Sequence, residues 1–141
     1  MLEVKIFTLY PDLFPGPLDI GIFKKARENK IWNLNVINIR EYSKDNHGTV
    51  DDTPFGGGSG MLLRPDILAS ALDKNIKKGE KIIYLSPRGK KFDQNVARSL
   101  SKEKNLNLIC GHFEGVDQRV LETRNIEEYS LGDFVLSGGE P

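Results

Sequence analysis

The chain has 141 residues, of which 38% are hydrophobic, which is enough to enclose one compact core. Its 20 Lys and Arg residues balance 20 Asp and Glu residues, so net charge neither indicates nor excludes a nucleic-acid partner. The single cysteine excludes an internal disulfide, and Glu3 and Lys5 interrupt the first apolar run, which argues against a signal peptide. No apolar stretch is long enough to span a membrane. Because the single cysteine cannot form an internal disulfide, we expect the reducing cytoplasm as the location.

Apolar periodicity predicts strands that alternate with helices along the chain. The predicted strands are Val4 to Leu9, Leu34 to Ile39, Lys81 to Leu85, Leu106 to Cys110 and a last one within Leu131 to Leu136. The predicted helices are Leu18 to Lys30, Pro65 to a stop at Gly79, Phe92 to Lys104 and Val116 to Thr123. This alternation is typical of an α/β protein in which helices flank a mostly parallel sheet.

Two further predictions concern the first half of the chain. The first helix is expected to pack inward through one face formed by Leu18, Ile22, Phe23 and Ala26. The residues from Glu41 to Gly60 show no periodicity and are predicted to form a long loop, a feature that is usually functional or mobile in a compact domain.

Loops rich in Gly, Pro or Ser follow the last three predicted strands. In parallel sheets, ligands bind beyond the carboxyl ends of the strands, where these loops would meet. The loops are Ser86 to Lys91, Gly111 to Arg119, and Leu131 to Glu140. Glycine lets the backbone approach a ligand closely, and backbone groups can bind the edge of an adenine-sized ring. The sequence therefore predicts a ligand pocket at this edge of the sheet.

Each of these loops also has a simpler explanation. Arg88, Lys90 and Lys91 suit a solvated turn as well as an RNA phosphate contact. Asp117 is explained by the first turn of a helix, whereas Glu114, between an aromatic residue and a glycine, is explained poorly in that way. In the last loop, core positions are expected rather than ligand stacking for Phe134, Val135 and Leu136.

A fourth glycine-rich loop runs from Asp51 to Met61. It lacks the Lys-Ser/Thr pair of a P-loop, so NTP hydrolysis by the P-loop mechanism is excluded. It does not form a G-x-G-x-x-G turn after a clear strand, so dinucleotide binding is only weakly supported. The alternative is a disordered linker, although Phe55 and Met61 could anchor the glycines between them. The sequence offers no nucleophile–base–acid triad and no metal-ligand set, since its only His and Cys residues are His47, His112 and Cys110.

Taken together, four motifs resemble one family. PFGGGSGM at 54–61, YLSPRGKKFDQ at 84–94, ICGHFEGVDQRV at 109–120 and LGDFVLSGGE at 131–140 are similar to the bacterial tRNA (guanine-N1)-methyltransferases, the TrmD family of the SPOUT superfamily. IFTLYPDLF at 6–14 and TVDDTPFGGG at 49–58 match as well, so the resemblance covers essentially the whole chain. It implies a SPOUT-type mostly parallel sheet flanked by helices, with a C-terminal trefoil-knot cofactor site. It also implies methyl transfer from S-adenosylmethionine to N1 of the guanosine 3′-adjacent to the anticodon.

The resemblance assigns roles to residues that match the family motifs. Cofactor binding is implied for Tyr84, Leu85, Ser86, Pro87, Gly111, Phe113, Glu114, Gly115, Leu131, Gly132, Asp133, Phe134, Val135, Leu136, Gly138 and Gly139. Substrate binding is implied for Asp51, Pro54, Gly56, Gly57, Gly58, Gly60 and Met61. Glu114 matches a family glutamate near the substrate, which suggests an assisting catalytic role and a magnesium requirement, although no metal-binding residue is assigned. The family's general base is an aspartate that would lie beyond Pro141, as would the arginine that helps it.

The resemblance has consequences for organisation and partners. It implies a tRNA substrate and a homodimer that shares its active site, with neither DNA nor a membrane as partner. Residues 1–141 are expected to form an S-adenosylmethionine-binding SPOUT domain that is truncated and lacks the C-terminal tRNA-binding domain. We expect its knot to be incomplete and the fragment alone to be inactive. The chain departs from the residues most frequent in the family at Arg88, His112, Phe113 and Leu131.

Two rival hypotheses stay open at this point. One is a non-catalytic RNA-binding module that uses Lys90, Lys91 and the glycine loop; it predicts a steep salt dependence and no cofactor binding. The other is a SPOUT enzyme with a different RNA target, which the PFGGGSGM motif argues against because that motif belongs to this family rather than to SPOUT enzymes generally.

Overall fold

A computed structural model describes residues 1–43, 51–52, 62–111, 116–136 and 138–141. In chain order, the strands are β1 Leu2–Thr8, β2 Trp32–Asn38, β3 Asp51–Asp52, β4 Leu62–Leu63, β5 Lys81–Lys91, β6 Asn105–Ile109 and β7 Glu127–Ser130. The helices are α1 Gly21–Glu28, α2 Pro65–Asn75, α3 Gln94–Leu100 and α4 Gln118–Thr123. Short 3₁₀ helices occupy Pro11–Leu13, Gly16–Asp19 and Ile39–Tyr42.

Five of the strands form one sheet in the order β2-β1-β6-β5-β7. All four pairings in it are parallel, and β3 and β4 form a separate antiparallel pair. This arrangement confirms the predicted α/β fold class. The parallel arrangement also brings the carboxyl ends of the strands to the same edge, where the glycine-rich loops were predicted to meet.

One face of the sheet carries the main hydrophobic core. Phe7 of β1 and Ile109 of β6 are neighbours in register, and both are almost fully buried. Helices α2 and α4 contribute further buried side chains to this core, namely Ile67, Leu68, Ala71, Leu72, Val120 and Leu121. The helix predicted to begin at Pro65 is therefore confirmed, although it ends at Asn75 rather than near Gly79.

The opposite face of the sheet is covered less completely. Its buried residues Val4, Ile6 and Cys110 pack against side chains that are only partly buried, such as Leu34 and Leu108. The prediction for α1 was wrong in two respects. The helix begins at Gly21 instead of Leu18, and it buries none of its residues, so that Ile22 is 76% and Phe23 52% exposed. Periodicity identified an apolar stripe on α1 correctly but could not show whether another element covers it.

The end of the sheet also differs from the prediction. The last strand is the polar segment β7, whereas the apolar residues Phe134, Val135 and Leu136 lie outside any strand and are exposed. The physical reason is that β7 lies at the edge of the sheet, where backbone pairing with β5 stabilises it and a continuous apolar run is not needed. Among the described residues, no helix combines the length and the apolar character that crossing a bilayer requires.

Candidate functional site at the carboxyl edge of the sheet

Strand β5 does not end where its apolar run ends. Its pairing with β7 is interrupted between Leu85 and Lys90, and Tyr129 is the register partner of both. Residues 86–89 therefore form a bulge at the edge of the candidate site. Gly89 allows this bulge, because a Cβ at that position would lie 2.5 Å from the backbone nitrogen of Tyr129. The segment Ser86 to Lys91, which was predicted to be a loop, is thus part of β5, and the predicted turn corresponds to the bulge within this strand.

The bulge places its residues in different environments. Ser86 is buried, and its Oγ accepts a hydrogen bond from the backbone N–H of Arg88 at 3.2 Å, which fixes the turn. Pro87 and Arg88 are exposed. The Ser86 side chain is therefore fixed inside the turn, whereas the exposed Arg88 side chain could contact a ligand or an RNA phosphate.

Tyr84 of β5 contacts Gly111, which is the second residue after the end of β6. Tyr84 is 6% exposed, and a Cβ on Gly111 would lie 2.5 Å from its Cε2 atom. Burial raises the pKa of the Tyr84 hydroxyl, and the neighbouring Glu128 carboxylate adds to this, while Arg88 acts against it. Tyr84 therefore forms a neutral wall, packed directly against the glycine backbone.

The chain returns across the sheet after β7. β7 is the outermost strand beside β5, yet the backbone N–H of Gly139 donates to the carbonyl of Gly111, beyond β6, at 3.1 Å. A Cβ on Gly139 would lie 3.0 Å from Cα of Cys110, so only glycine fits this approach without a shift. The chain therefore goes from β7, at the edge of the sheet, to a contact just beyond the carboxyl end of β6.

The described residues of the segment between β7 and Gly139 expose apolar side chains. Leu131 is 52%, Phe134 52%, Val135 80% and Leu136 49% exposed. A turn starts the segment: the Ser130 hydroxyl donates to the carbonyl of Gly132 at 2.9 Å. The expectation that Phe134 to Leu136 are core residues is wrong, since they form an apolar surface next to the Gly111–Gly139 contact.

The structure brings together only part of the predicted site. Tyr84, Ser86, Gly111, Gly138 and Gly139 converge at the carboxyl edge. Asp51 pairs with Leu63 in the β3–β4 ladder. Nine other predicted positions lie outside the described residues; they are Phe113, Glu114 and Gly115 for the cofactor, and Pro54, Gly56, Gly57, Gly58, Gly60 and Met61 for the substrate.

Asp117 has the structural role that the simpler explanation gave it. It caps α4, where its Oδ1 accepts from the backbone N–H of Arg119 at 2.8 Å, and its other oxygen pairs with the Arg119 guanidinium at 2.8 Å. These bonds lower the pKa of the Asp117 carboxyl, mainly through the side-chain bond to Arg119. Asp117 is therefore engaged in starting the helix.

Cys110 is not a nucleophile in this fold. It is 6% exposed, and burial, with a smaller contribution from Glu140, raises the pKa of its thiol to about 12. A thiol with this pKa stays protonated at neutral pH. Within the described ranges, no group of three His, Cys, Asp or Glu side chains is placed to hold a metal ion.

Sequence reasoning missed two residues that shape this site. Thr8 and Glu140 are hydrogen-bonded at 2.6 Å across a separation of 132 positions. Neither residue stands out locally, because a Thr at the end of a strand and a Glu before a proline are both common. Only joint variation of the two positions among related sequences could have indicated the contact, and a single sequence does not contain that signal.

Comparison with known proteins identifies the relationship. The model of the family described as tRNA (Guanine-1)-methyltransferase TrmD matches residues 2–141. A protein of Pelagibacter ubique (strain HTCC1062) named tRNA (guanine-N(1)-)-methyltransferase is 68% identical over 140 residues, which cover 99% of this chain and 61% of that protein. Proteins with the same name from Agrobacterium fabrum (strain C58 / ATCC 33970) and Wolbachia pipientis subsp. Culex pipiens (strain wPip) are 51% and 48% identical over 141 residues, which cover 99% of this chain and 60% and 61% of theirs.

This chain therefore spans about three fifths of the length of the curated relatives it matches. Within that span, the match is continuous from β1 to the last residues, and it includes every loop at the carboxyl edge of the sheet. The family match and the identities together establish that the chain belongs to the tRNA (guanine-1)-methyltransferase, TrmD, family.

Proposed function

We propose that this chain is the cofactor-binding part of an enzyme that transfers a methyl group from S-adenosylmethionine to N1 of a tRNA guanosine, the one 3′-adjacent to the anticodon. The observation that carries the proposal is the return of the chain after β7 to the Gly111 carbonyl. It encloses the carboxyl ends of β5 and β6 between two glycine-rich segments, in a chain of the TrmD family.

The described residues fit such a cofactor. Leu131, Phe134, Val135 and Leu136 expose apolar area that an adenine ring and an alkyl chain would cover. At Gly111 and Gly139, two backbone segments meet beside this apolar surface. Backbone N–H and C=O groups can bind the edge of an adenine ring without a charged side chain. When bound, the cofactor supplies an electrophilic methyl group on a sulfonium.

The chain's own contribution to the chemistry is positioning. Methyl transfer requires the attacking nitrogen in line with the methyl group, and rigid walls such as the buried Tyr84 reduce the freedom that has to be lost. The fixed bulge at Ser86 performs the same task from the neighbouring strand. Guanine N1 carries a proton that a base must remove, and we assign that task to an aspartate outside this chain, with Glu114 as its assistant.

Several finer features belong to the same proposal. We infer a cytoplasmic location from the family resemblance. We infer a homodimer from the same resemblance and from the uncovered apolar stripe of α1. The glycine-rich loop from Asp51 to Met61 is proposed to contact the target guanine, and magnesium is proposed as a requirement near Glu114. We further propose that residues 1–141 are one SPOUT domain whose partner domain for tRNA lies in the longer protein.

Calorimetry with the purified chain tests the cofactor assignment. We expect saturable binding of S-adenosylmethionine and of S-adenosylhomocysteine, and no binding of ATP. Gly111→Ala should weaken the binding at least tenfold, because its Cβ would displace the Tyr84 ring. Ser99→Ala, at an exposed position of α3, is the matched control and should bind normally. Equal binding by Gly111→Ala and wild type would show that the pocket lies elsewhere.

An assay with the longer protein tests the substrate. It should form 1-methylguanosine on a tRNA that carries guanosine 3′ of the anticodon, and none on the same tRNA with adenosine at that position. Methylation that persists on the second tRNA would favour a SPOUT enzyme with another target. RNA binding with a steep salt slope and without cofactor binding would instead favour the non-catalytic module.

A further inference from the structure

Thr8 connects the end of β1 to the last residues of the chain. It is the final residue of its strand and has no exposed surface. Its hydroxyl donates to Oε1 of Glu140 at 2.6 Å and accepts a hydrogen bond from the backbone N–H of Tyr10 at 3.0 Å. A hydroxyl-to-carboxylate bond of this length is of the strong, charge-assisted kind, and a buried setting strengthens it further.

The residue before Glu140 is attached to the neighbouring strand. Gly139 donates to the carbonyl of Gly111, and its Cα lies so near Cys110 that a Cβ would be 3.0 Å from that residue's Cα. In register, Thr8 follows Phe7, which pairs with Ile109. The two attachments therefore hold the consecutive residues Gly139 and Glu140 at the carboxyl ends of the adjacent strands β6 and β1.

The segment between β7 and these attachments has little packing of its own. Its start is fixed by the pairing of Ser130 with Lys91 and by the turn at Gly132. The apolar side chains that follow are between 49% and 80% exposed, so they contribute little burial to hold the backbone in place. The position of the segment consequently depends on its two fixed ends.

We infer that Thr8 and Glu140 are positioning residues for the pocket: their hydrogen bond, here named the Thr8–Glu140 clamp, holds Gly139 against Gly111. Thr8 lies outside every glycine-rich motif, and its side chain is connected to the site by the hydrogen bond to Glu140. The identity of the pocket's ligand rests on the proposed function, whereas the clamp rests on the contacts of the chain itself.

Amide hydrogen exchange and calorimetry on the same variants test the clamp. Thr8→Val and Glu140→Ala should each speed exchange of the Gly139 amide about tenfold or more, and should weaken S-adenosylmethionine binding by a similar factor. Thr8→Ser keeps the donor and should remain close to wild type, whereas Glu140→Gln keeps an acceptor without the charge and should lie between wild type and Glu140→Ala. The effect of the double variant Thr8→Val/Glu140→Ala should be clearly smaller than the sum of the two single effects, because both changes remove the Thr8–Glu140 bond.

The amides of Ile83 and Leu108, in the middle of β5 and β6, serve as internal controls. Their exchange should be unchanged in every variant. If they change together with Gly139, the clamp has only a general structural role and the inference is wrong. Unchanged Gly139 exchange in Glu140→Ala would also overturn it, and this variant leaves the buried core intact should Thr8→Val fail to fold. If the wild type binds no S-adenosylmethionine, the proposed function fails, while Gly139 exchange still tests the clamp.

Discussion

At the scale of single residues, close approaches of backbone decide the form of the site. Gly89, Gly111 and Gly139 each lie where a Cβ would be 3.0 Å or less from another atom. At Gly89 and Gly139 the nearest atom is backbone, which cannot rotate away, whereas at Gly111 it is the Tyr84 ring. These three contacts hold β5, β6, β7 and the last residues of the chain together at the carboxyl edge.

We expect Gly89→Ala to destabilise the protein by about 1–3 kcal/mol, because the added methyl group must displace the backbone of Tyr129 in β7. Urea unfolding measures the change. The exposed residue Lys91, in the same strand, provides the control, and Lys91→Ala should change the free energy of unfolding by less than about 0.5 kcal/mol. Equal stability of the two variants would mean that the bulge can open without cost.

Asp117 gives a prediction about pH. Arg119 lowers its folded pKa below the ordinary value of 3.8, so its charge stabilises the fold above that value. This stabilisation is lost as the pH falls through the lower, folded pKa. Asp117→Ala should cost about 1 kcal/mol at pH 7 through loss of the helix cap, and Asp117→Asn should cost less, since Asn also caps helices.

The difference in unfolding free energy between wild type and Asp117→Asn should therefore shrink when it is measured at successively lower pH, from about 5 down to about 2. Asp93, which caps α3 by accepting a hydrogen bond from the Val96 amide, is the helix cap with which Asp117 is compared. The prediction would fail if the difference for Asp117→Asn grew as the pH was lowered.

At the scale of elements, α1 and α2 are both amphipathic but differ in what covers them. Leu68 of α2 is fully buried in the main core, whereas Ile22 of α1 is 76% exposed. Amphipathic periodicity is common to both helices because it comes from the spacing of apolar residues alone. The cost of replacing such residues depends instead on the neighbours that surround them.

Leu68→Ala should accordingly destabilise the chain by about 2–5 kcal/mol through the cavity it leaves. Ile22→Ser should change the stability by less than about 0.5 kcal/mol, provided that unfolding is measured at a concentration low enough to keep the chain monomeric. A large loss in Ile22→Ser under those conditions would show that α1 is covered within one chain.

At the scale of the whole molecule, the uncovered apolar stripe of α1 is the surface through which the proposed homodimer can be tested. Ile20, Ile22 and Phe23 expose 68%, 76% and 52% of their surface on neighbouring positions of the chain. An apolar group of this kind is typical of a surface that another protein covers. We propose a second copy of the chain as that protein, in keeping with the family resemblance.

Sedimentation equilibrium should find the wild type at twice its 15.9 kDa mass, and the double variant Ile22→Ser/Phe23→Ser at the monomer mass. Lys24→Ser, exposed on the same helix, should leave the dimer intact. A wild-type chain that is monomeric at high concentration, or a dimer that persists in the double variant, would contradict the assignment of this surface.

Much of the fold could be predicted from local patterns. The strands around Val4, Leu34 and Leu106, and the inward face of α2, follow from runs of apolar residues whose spacing matches one buried face. The edge strand β7 was missed because Glu127 to Ser130 carry no such pattern, and backbone pairing to β5 stabilises them instead. The exposed Phe134 to Leu136 show the converse, since an apolar run by itself does not specify burial.

The sequence by itself determined the α/β class and the family, because local hydrophobic spacing and contiguous motifs record both. The tertiary structure alone decided which apolar surfaces are covered and which distant residues meet, since both depend on how the strands are ordered in space. Thr8 and Glu140 illustrate the difference: they are 132 positions apart in the chain, and only the sheet order β1-β6-β5-β7 brings them within 2.6 Å.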